Sequence, residues 1–239
     1  MSHFTKGDKL SKLIHTNHFL LPVINRFGIR LGFKDKTVYD ICIEKGINED
    51  FFLAIVNTYT NKDYFPETDL MSFSPSLIIE YLRKTHQYYF EYLFPEVERR
   101  LARVLIGCEG DCDDLQLVKS FYEKYKEELS NHIVEEEETV FPYVLAITKA
   151  HENNTAIDAK YKGYSIKSFE QEHTHVDQKI YDLKSIVIKY LKPGYDDNDC
   201  NSFLFSVFQF ERDLLDHARI EDVILTPKIM EIEKLVKHG

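Results

Sequence analysis

Two stretches of the chain repeat one pattern of side chains that bind metal ions. His132–Pro142 and His217–Pro227 both fit the pattern His-x3-Glu-x5-Pro. On a helix, residues four apart lie on one face, with Cβ atoms about 6 Å apart. A neutral imidazole and a carboxylate placed in this way can serve the same metal ion. Each stretch therefore predicts one histidine–glutamate pair of metal ligands.

The apolar residues around the two pairs decide whether the pairs are buried. A single exposed pair of this kind is common on helices and contributes only about 0.2–0.5 kcal/mol. Here apolar residues recur every three or four positions from Val118 to Val144 and from Phe203 to Ile224, which is the helical period. Four side chains lie within these apolar stripes: His132, Glu136, His217 and Glu221. Two buried carboxylates repel each other unless a cation lies between them.

Two further predicted helices each carry one histidine in an apolar stripe. His86 lies in the stripe from Ile79 to Val104, and His173 lies in the stripe from Ile166 to Val187. The helical spacing turns four neighbouring side chains away from the stripes. These side chains are His175, Glu135, Glu137 and Glu138.

The four histidines of the stripes are predicted to lie at one level. His86 and His132 each lie 23 residues from the turn that joins their helices, and His173 and His217 lie 21 and 23 residues from theirs. In antiparallel helices of equal rise, equal distance from the turn means equal height. The sequence therefore predicts one metal site. Its ligands are His86, His132, Glu136, His173, His217 and Glu221.

The amino-acid composition limits the fold classes and binding partners that are compatible with this chain. Glycine (9) and proline (7) are scarce, and long stretches show the helical period, which predicts an all-α fold. The formal charge of −10 disfavours nucleic acid and anionic membrane surfaces as partners. No signal peptide and no apolar run that spans a bilayer is recognisable, so we predict a soluble cytoplasmic protein.

The order of the predicted helices indicates two domains. Residues 1–60 are predicted to form a small domain of short helices, residues 61–76 a linker, and residues 77–239 a bundle. Short connections join the first long helix to the second and the third to the fourth, which predicts an up-down antiparallel four-helix bundle. The four long helices are predicted at Pro75–Ile106, Asp113–Lys149, Ser165–Leu191 and Asn198–Val236.

The donor set narrows the choice of metal. Four imidazoles and two carboxylates without a thiolate suit iron, manganese, copper or zinc. Two carboxylates that bridge favour a pair of ions with open positions, where dioxygen or nitric oxide can bind. The four cysteines are spread along the chain and are predicted to be free thiols: Cys42, Cys108, Cys112 and Cys200.

These residues carry a resemblance to a known family. The two motifs, ending in Phe141-Pro142 and Thr226-Pro227, resemble the hemerythrin-like (HHE cation-binding) domain over about residues 75–236. Glu172-His173 is similar to the family's Glu-His on its third helix. Phe27-Gly28-Ile29 and the segment 36–47 resemble the N-terminal domain of the repair-of-iron-centres (RIC) proteins, also described as regulators of cell morphogenesis and nitric-oxide signalling.

The resemblance implies a cofactor and a role. It implies two non-haem iron ions with oxo and carboxylate bridges, for which zinc or manganese can substitute. The implied ligands are the six residues chosen above, with Glu136 and Glu221 bridging. The implied role is the repair of iron–sulfur proteins, or their supply with iron, under nitrosative or oxidative stress. Where that family has two adjacent cysteines, this chain has Arg30-Leu31-Gly32, which puts any thiol-dependent step in doubt.

Several interpretations stay open at this point. A di-iron redox or nitric-oxide-reducing activity is one, and a non-catalytic sensor or store for O2, NO or iron is another. A third is a helical scaffold in which these residues form a buried polar network. Tyr89 is either a hydrogen-bond donor to a ligand or a core aromatic. The sequence does not determine an oligomeric state.

Overall fold

The computed structural model describes residues 3–64, 72–168 and 174–238. These residues form helices and turns with no β-strand, apart from an isolated bridge between Lys9 and Thr37. The predicted all-α fold is confirmed. The short N-terminal helices are α1 (Leu10–Thr16), α2 (Leu20–Arg26), α3 (Val38–Lys45) and α4 (Glu49–Thr60). The helices that follow are α5 (Pro75–Tyr88), α6 (Phe94–Ile106), α7 (Asp113–Glu135), α8 (Phe141–Glu152), α9 (Thr174–Tyr190), α10 (Asp197–Ile220) and α11 (Thr226–His238).

Capping residues start the helices where the sequence indicates. Thr37 forms a capping box with Asp40 at the start of α3, and the Asn48 side chain accepts a hydrogen bond from the Phe51 amide at the start of α4. The Ser76 amide donates to Ser74 Oγ where α5 begins at Pro75. These side chains satisfy amides that have no partner within the first turn of a helix.

Three of the helix junctions are π-helical turns rather than breaks. Tyr89–Leu93 joins α5 to α6, Glu136–Val140 joins α7 to α8, and Glu221–Leu225 joins α10 to α11. Each turn is followed, two residues after its end, by a proline. These prolines are Pro95, Pro142 and Pro227. Proline has no amide hydrogen to donate to the carbonyl four residues back, so one hydrogen bond of the regular α-helix is missing there. A wider π turn, whose hydrogen bonds reach five residues back, can then compete with the α-helical turn.

The chain divides into two compact units. The first comprises Met1–Lys84, Phe141–Glu170 and Asp216–Gly239. In this unit α11 packs along α8 and against the 3-10 turn at Ile166–Ser168, and α2 packs against α1 and α4. The buried Glu233 of α11 accepts hydrogen bonds from Tyr143 of α8, from the Ser165 hydroxyl and from the Ile166 amide.

The second unit comprises Thr85–Val140 and Gln171–Leu215. Its core is a single apolar cluster supplied by α6, α7, α9 and α10 together with the first π turn. Aromatic rings fill its middle, where Tyr89, Phe94 and Tyr125 each contact Phe210 edge-on. Edge-to-face packing of this kind adds to the stability that apolar burial supplies.

Three of the four predicted long helices have limits close to those in the structure, and the third differs at its start. The first long helix covers the predicted Pro75–Ile106, with the π turn inside it, and the second and fourth end within three residues of their predicted limits. The predicted start of the third at Ser165 is wrong, because Ile166–Ser168 is a 3-10 turn. Residues 65–71 of the predicted linker lie outside the described residues, and the domain limits at 60 and 76 stay a prediction.

The prediction of four free thiols is wrong for one pair. Cys108 and Cys112 form a disulfide that closes the loop between α6 and α7, with Cα atoms 6.3 Å apart. The spacing of four residues spans a turn that brings the two side chains together, and only the folded loop shows this. Cys42 and Cys200 are free, as predicted, and the structure shows that both are buried.

Candidate metal centre

Glu136 lies between two of the predicted histidine ligands. It is the first residue of the second π turn, and none of its surface is exposed. Its two carboxylate oxygens lie 3.0 Å from His86 Nε2 and 3.0 Å from His132 Nε2. The helical spacing of four places His132 beside Glu136, whereas His86 comes from α5.

His86 has a second carboxylate neighbour. Its Nδ1 lies 2.9 Å from Oε1 of Glu137, so both ring nitrogens face acidic oxygens. The prediction that Glu137 points away from the apolar stripe is therefore wrong. The helical period of 3.6 residues fails at this place because Glu136 and Glu137 open a π turn. Pro142, which follows the turn, was the available signal.

The second motif repeats the arrangement of the first. Glu221 is the first residue of the third π turn, as Glu136 is of the second. His217 lies one helical turn before it on α10, with Nε2 3.4 Å from Glu221 Oε1. Both side chains are buried. The pair that the sequence predicts on one helical face is therefore formed.

Four of the six predicted ligands come together in one group. His86, Glu136, His217 and Glu221 each offer one ligand atom, and these atoms all lie within 4.8 Å of one another. All four side chains are buried. Buried carboxylates are stable when a cation or strong donors compensate their charge. Two imidazoles and two carboxylates are also the donors that iron, manganese and zinc accept. This donor set fits a metal centre.

The other two predicted ligands are His132, which the structure describes, and His173, which it does not. His132 touches Glu136 but lies outside the group of four, and part of its ring is exposed to solvent. His173 lies outside the described residues, so its role as a ligand stays a prediction, and so does the outward orientation of His175. Tyr89 is fully buried and its ring packs on Phe210 in the apolar core.

Comparison with known proteins agrees with this geometry. Residues 77–229 match the model of the hemerythrin family, described as the hemerythrin HHE cation-binding domain. The chain belongs to the hemerythrin family. The matched residues contain all the predicted ligands and make up more than half of the chain. Hemerythrin domains are helical bundles that bind metal. The all-α fold and the histidine–glutamate group of this chain agree with that description.

A relative of this chain is a protein of Haemophilus influenzae named "Probable iron-sulfur cluster repair protein". The two are 27% identical over 131 residues. The aligned part is 54% of this chain and 54% of the relative, so the chain spans about half the length of the curated relative it matches.

Two further findings concern other parts of the described chain. Burial raises the pKa of the Cys42 thiol to about 11, which keeps it protonated and poorly reactive near neutral pH. In the described part of the chain, no helix combines the length and the apolar character needed to cross a membrane.

Proposed function

We propose that this protein is a non-haem di-iron protein of the nitrosative and oxidative stress response. It repairs damaged iron–sulfur centres or supplies them with iron, and it acts in the cytoplasm. The proposed ligands are the six predicted from the sequence, with Glu136 and Glu221 bridging two irons. When bound, iron supplies redox chemistry and an open position for NO or O2.

One observation carries the proposal. Two carboxylates and two imidazoles are buried with ligand atoms within 4.8 Å of one another, which is costly without a cation to compensate the charge. Family membership and the named repair function of the Haemophilus influenzae relative support the choice of iron and of repair.

The chain's own side chains supply the shape of the centre. Glu136 presents its two oxygens to two different histidines, which suits a carboxylate that binds more than one ion. The apolar core of α6, α7, α9 and α10 supplies a rigid support of buried aromatic and aliphatic side chains. Such support holds ligands within the narrow tolerance that a metal site needs.

One feature favours a second candidate function, a non-catalytic sensor or store for O2, NO or iron. Arg30-Leu31-Gly32, without a cysteine, comes directly after Phe27-Gly28-Ile29, and Cys42 is buried with a raised pKa. A thiol-dependent transfer of iron therefore has no reactive thiol in this part of the chain.

Metal analysis followed by iron transfer tests the proposal. Protein produced with iron should hold about two irons per chain, and Glu136→Gln should lose most of them while the exposed Glu138→Gln should not. The iron-loaded protein is then mixed anaerobically with an apo iron–sulfur protein. Restored cluster activity with the wild type, and none with Glu136→Gln, is the expected result.

Two other results would count against repair. In the first result, the protein binds iron but does not transfer it to the apo protein, and it binds NO once without turning it over. This result would favour the sensor or store. A chain that binds no iron at all would leave a helical scaffold with a buried polar network and would overturn both functions.

A further inference from the structure

Glu136 and Glu137 are consecutive residues whose carboxylates lie beside the two nitrogens of one imidazole ring. Glu136 Oε2 lies 3.0 Å from Nε2 of His86, and Glu137 Oε1 lies 2.9 Å from Nδ1 of the same ring. Consecutive side chains on a regular α-helix point about 100° apart. Here both begin a π turn, and both reach His86.

The two carboxylates differ in their surroundings. The Glu136 side chain is almost completely buried and belongs to the group of four candidate ligands, whereas 30% of the Glu137 side chain is exposed. Glu137 is not part of that group. It approaches Nδ1 of His86, whereas Glu136 approaches Nε2, so Glu137 contacts a candidate ligand without belonging to the group of four.

A histidine binds a metal ion through one nitrogen while the other carries a proton. If Nε2 of His86 serves the ion, Nδ1 must carry the proton, and a carboxylate 2.9 Å away accepts it. Such an outer carboxylate fixes the tautomer and the orientation of the ring, and it makes the ligating nitrogen more basic.

We propose that Glu137 is a positioning residue of the metal centre, which holds His86 in the tautomer and orientation that bind the ion through Nε2. This role rests on the metal centre proposed above. It assigns different tasks to neighbouring glutamates: Glu136 binds metal, Glu137 orients a ligand, and the exposed Glu138 does neither.

Affinity measurements on four proteins test this role. Zinc is bound to wild type, Glu137→Gln, Glu137→Ala and Glu138→Gln, and its affinity is measured by competition with a chelator. Glu137→Ala should bind zinc about 10–100 times more weakly at unchanged stoichiometry. Glu137→Gln should lose less, because its amide oxygen still accepts the Nδ1 hydrogen without the negative charge. Glu138→Gln should match the wild type.

A spectroscopic measurement separates positioning from a general loss of structure. In the diamagnetic zinc protein, the Nδ1 hydrogen of His86 should give a strongly hydrogen-bonded NMR resonance. Glu137→Ala should lose this resonance while the signals of His217 stay in place, and far-UV circular dichroism should show the same helix content in all four proteins.

Three results would overturn the role, and they are distinguishable. Wild-type affinity and an unchanged His86 resonance in Glu137→Ala would show that Glu137 positions nothing. Loss of a whole zinc ion per chain would make Glu137 a ligand itself. A wild-type chain that binds neither zinc nor iron would overturn the proposed metal centre, and the role of Glu137 with it.

Discussion

At the scale of single residues, buried charge is the clearest sign of specialised positions in this chain. Lys228 of α11 is 2% exposed, and its amine lies 4.9 Å from the centre of the Phe73 ring. Burial lowers the pKa of this lysine from its ordinary 10.5 to about 8. The ammonium form is therefore disfavoured in the folded state relative to the unfolded state.

This shift gives the stability of the protein a defined pH dependence. Between pH 8 and 10.5 the unfolded state binds more protons at Lys228 than the folded state, so the free energy of unfolding rises with pH. The contribution of Lys228 is complete above pH 10.5 and is lost as pH falls through about 8.

We expect Lys228→Met to remove this rise, which amounts to about 3 kcal/mol for a pKa lowered from 10.5 to about 8. Urea unfolding of the metal-free protein at a series of pH values measures it. The matched control is Lys234→Met, because Lys234 lies on the same helix with its amine exposed and paired with Glu231. A wild-type curve that is flat above pH 8 would contradict the assignment.

At the scale of secondary structure elements, the π turns connect the sequence motif to the candidate site. The Thr226 amide donates to the Glu221 carbonyl, five residues back, and Pro227 cannot donate at all. The glutamate of each motif therefore begins a π turn, and the proline of each motif follows that turn. This accounts for the five-residue spacing between them.

We predict that Pro227→Ala weakens metal binding about tenfold. Changes to the groups that support a metal ligand typically lower metal affinity about 10–100-fold, and the prediction takes the lower end of that range. Alanine restores an amide hydrogen, so regular α-helical bonding competes with the π turn and rotates Glu221. Chelator competition measures the affinity, and circular dichroism should show unchanged helix content. Pro193→Ala, between α9 and α10, is the control. Unchanged binding in Pro227→Ala would mean that packing alone imposes the turn.

Another element-scale contact joins α10 to the end of α4 within the first unit. The Arg219 guanidinium donates to the carbonyls of Thr58, Asn61 and Lys62, at distances of 2.5, 3.0 and 2.9 Å. The last carbonyls of a helix accept no hydrogen bond from within the helix, so a side-chain donor can satisfy them. A cation at this end also interacts favourably with the negative end of the helix dipole.

Arg219→Ala should lower the free energy of unfolding of the metal-free protein by about 2–3 kcal/mol, because it removes charge-assisted hydrogen bonds. Arg219→Lys should lose part of this, since one amine cannot reach three carbonyls. Urea unfolding measures both, with the exposed Arg103→Ala as the control. Equal stability of Arg219→Ala and Arg103→Ala would show that the contact contributes nothing.

At the scale of the whole molecule, the proposed centre links metal binding to stability. Its candidate ligands come from α5, from α10 and from two π turns that lie far apart in sequence. An ion that binds only the folded arrangement of these ligands stabilises the fold by mass action.

We expect the metal-loaded protein to melt about 8–16 °C above the chelated protein. This follows from about 4 kcal/mol at a free metal concentration 1,000 times the dissociation constant, for a chain of this size. Differential scanning calorimetry measures the difference. Glu221→Gln should abolish it, while Glu231→Gln, an exposed position of α11, should keep it. A melting temperature independent of metal would contradict coupling between the centre and the fold.

Sequence alone determined the elements and the motif, because both depend on local spacing. The three-to-four period of the apolar stripes predicted helices whose limits recur in the structure at Pro75, Ile106 and Asp113. The same period placed His217 and Glu221 on one face, and the structure has them there in contact. Side chains four residues apart on a helix are neighbours whatever the rest of the chain does.

The tertiary structure decided which residues from distant helices meet. It brought His86 to Glu136 and Glu137, left His132 at the edge of the group, and joined Cys108 to Cys112. The π turns shifted side chains away from the positions that a regular helix predicts, which is why Glu137 was assigned to the wrong face. Contacts between helices depend on how whole faces pack, and no periodicity within one helix contains that information.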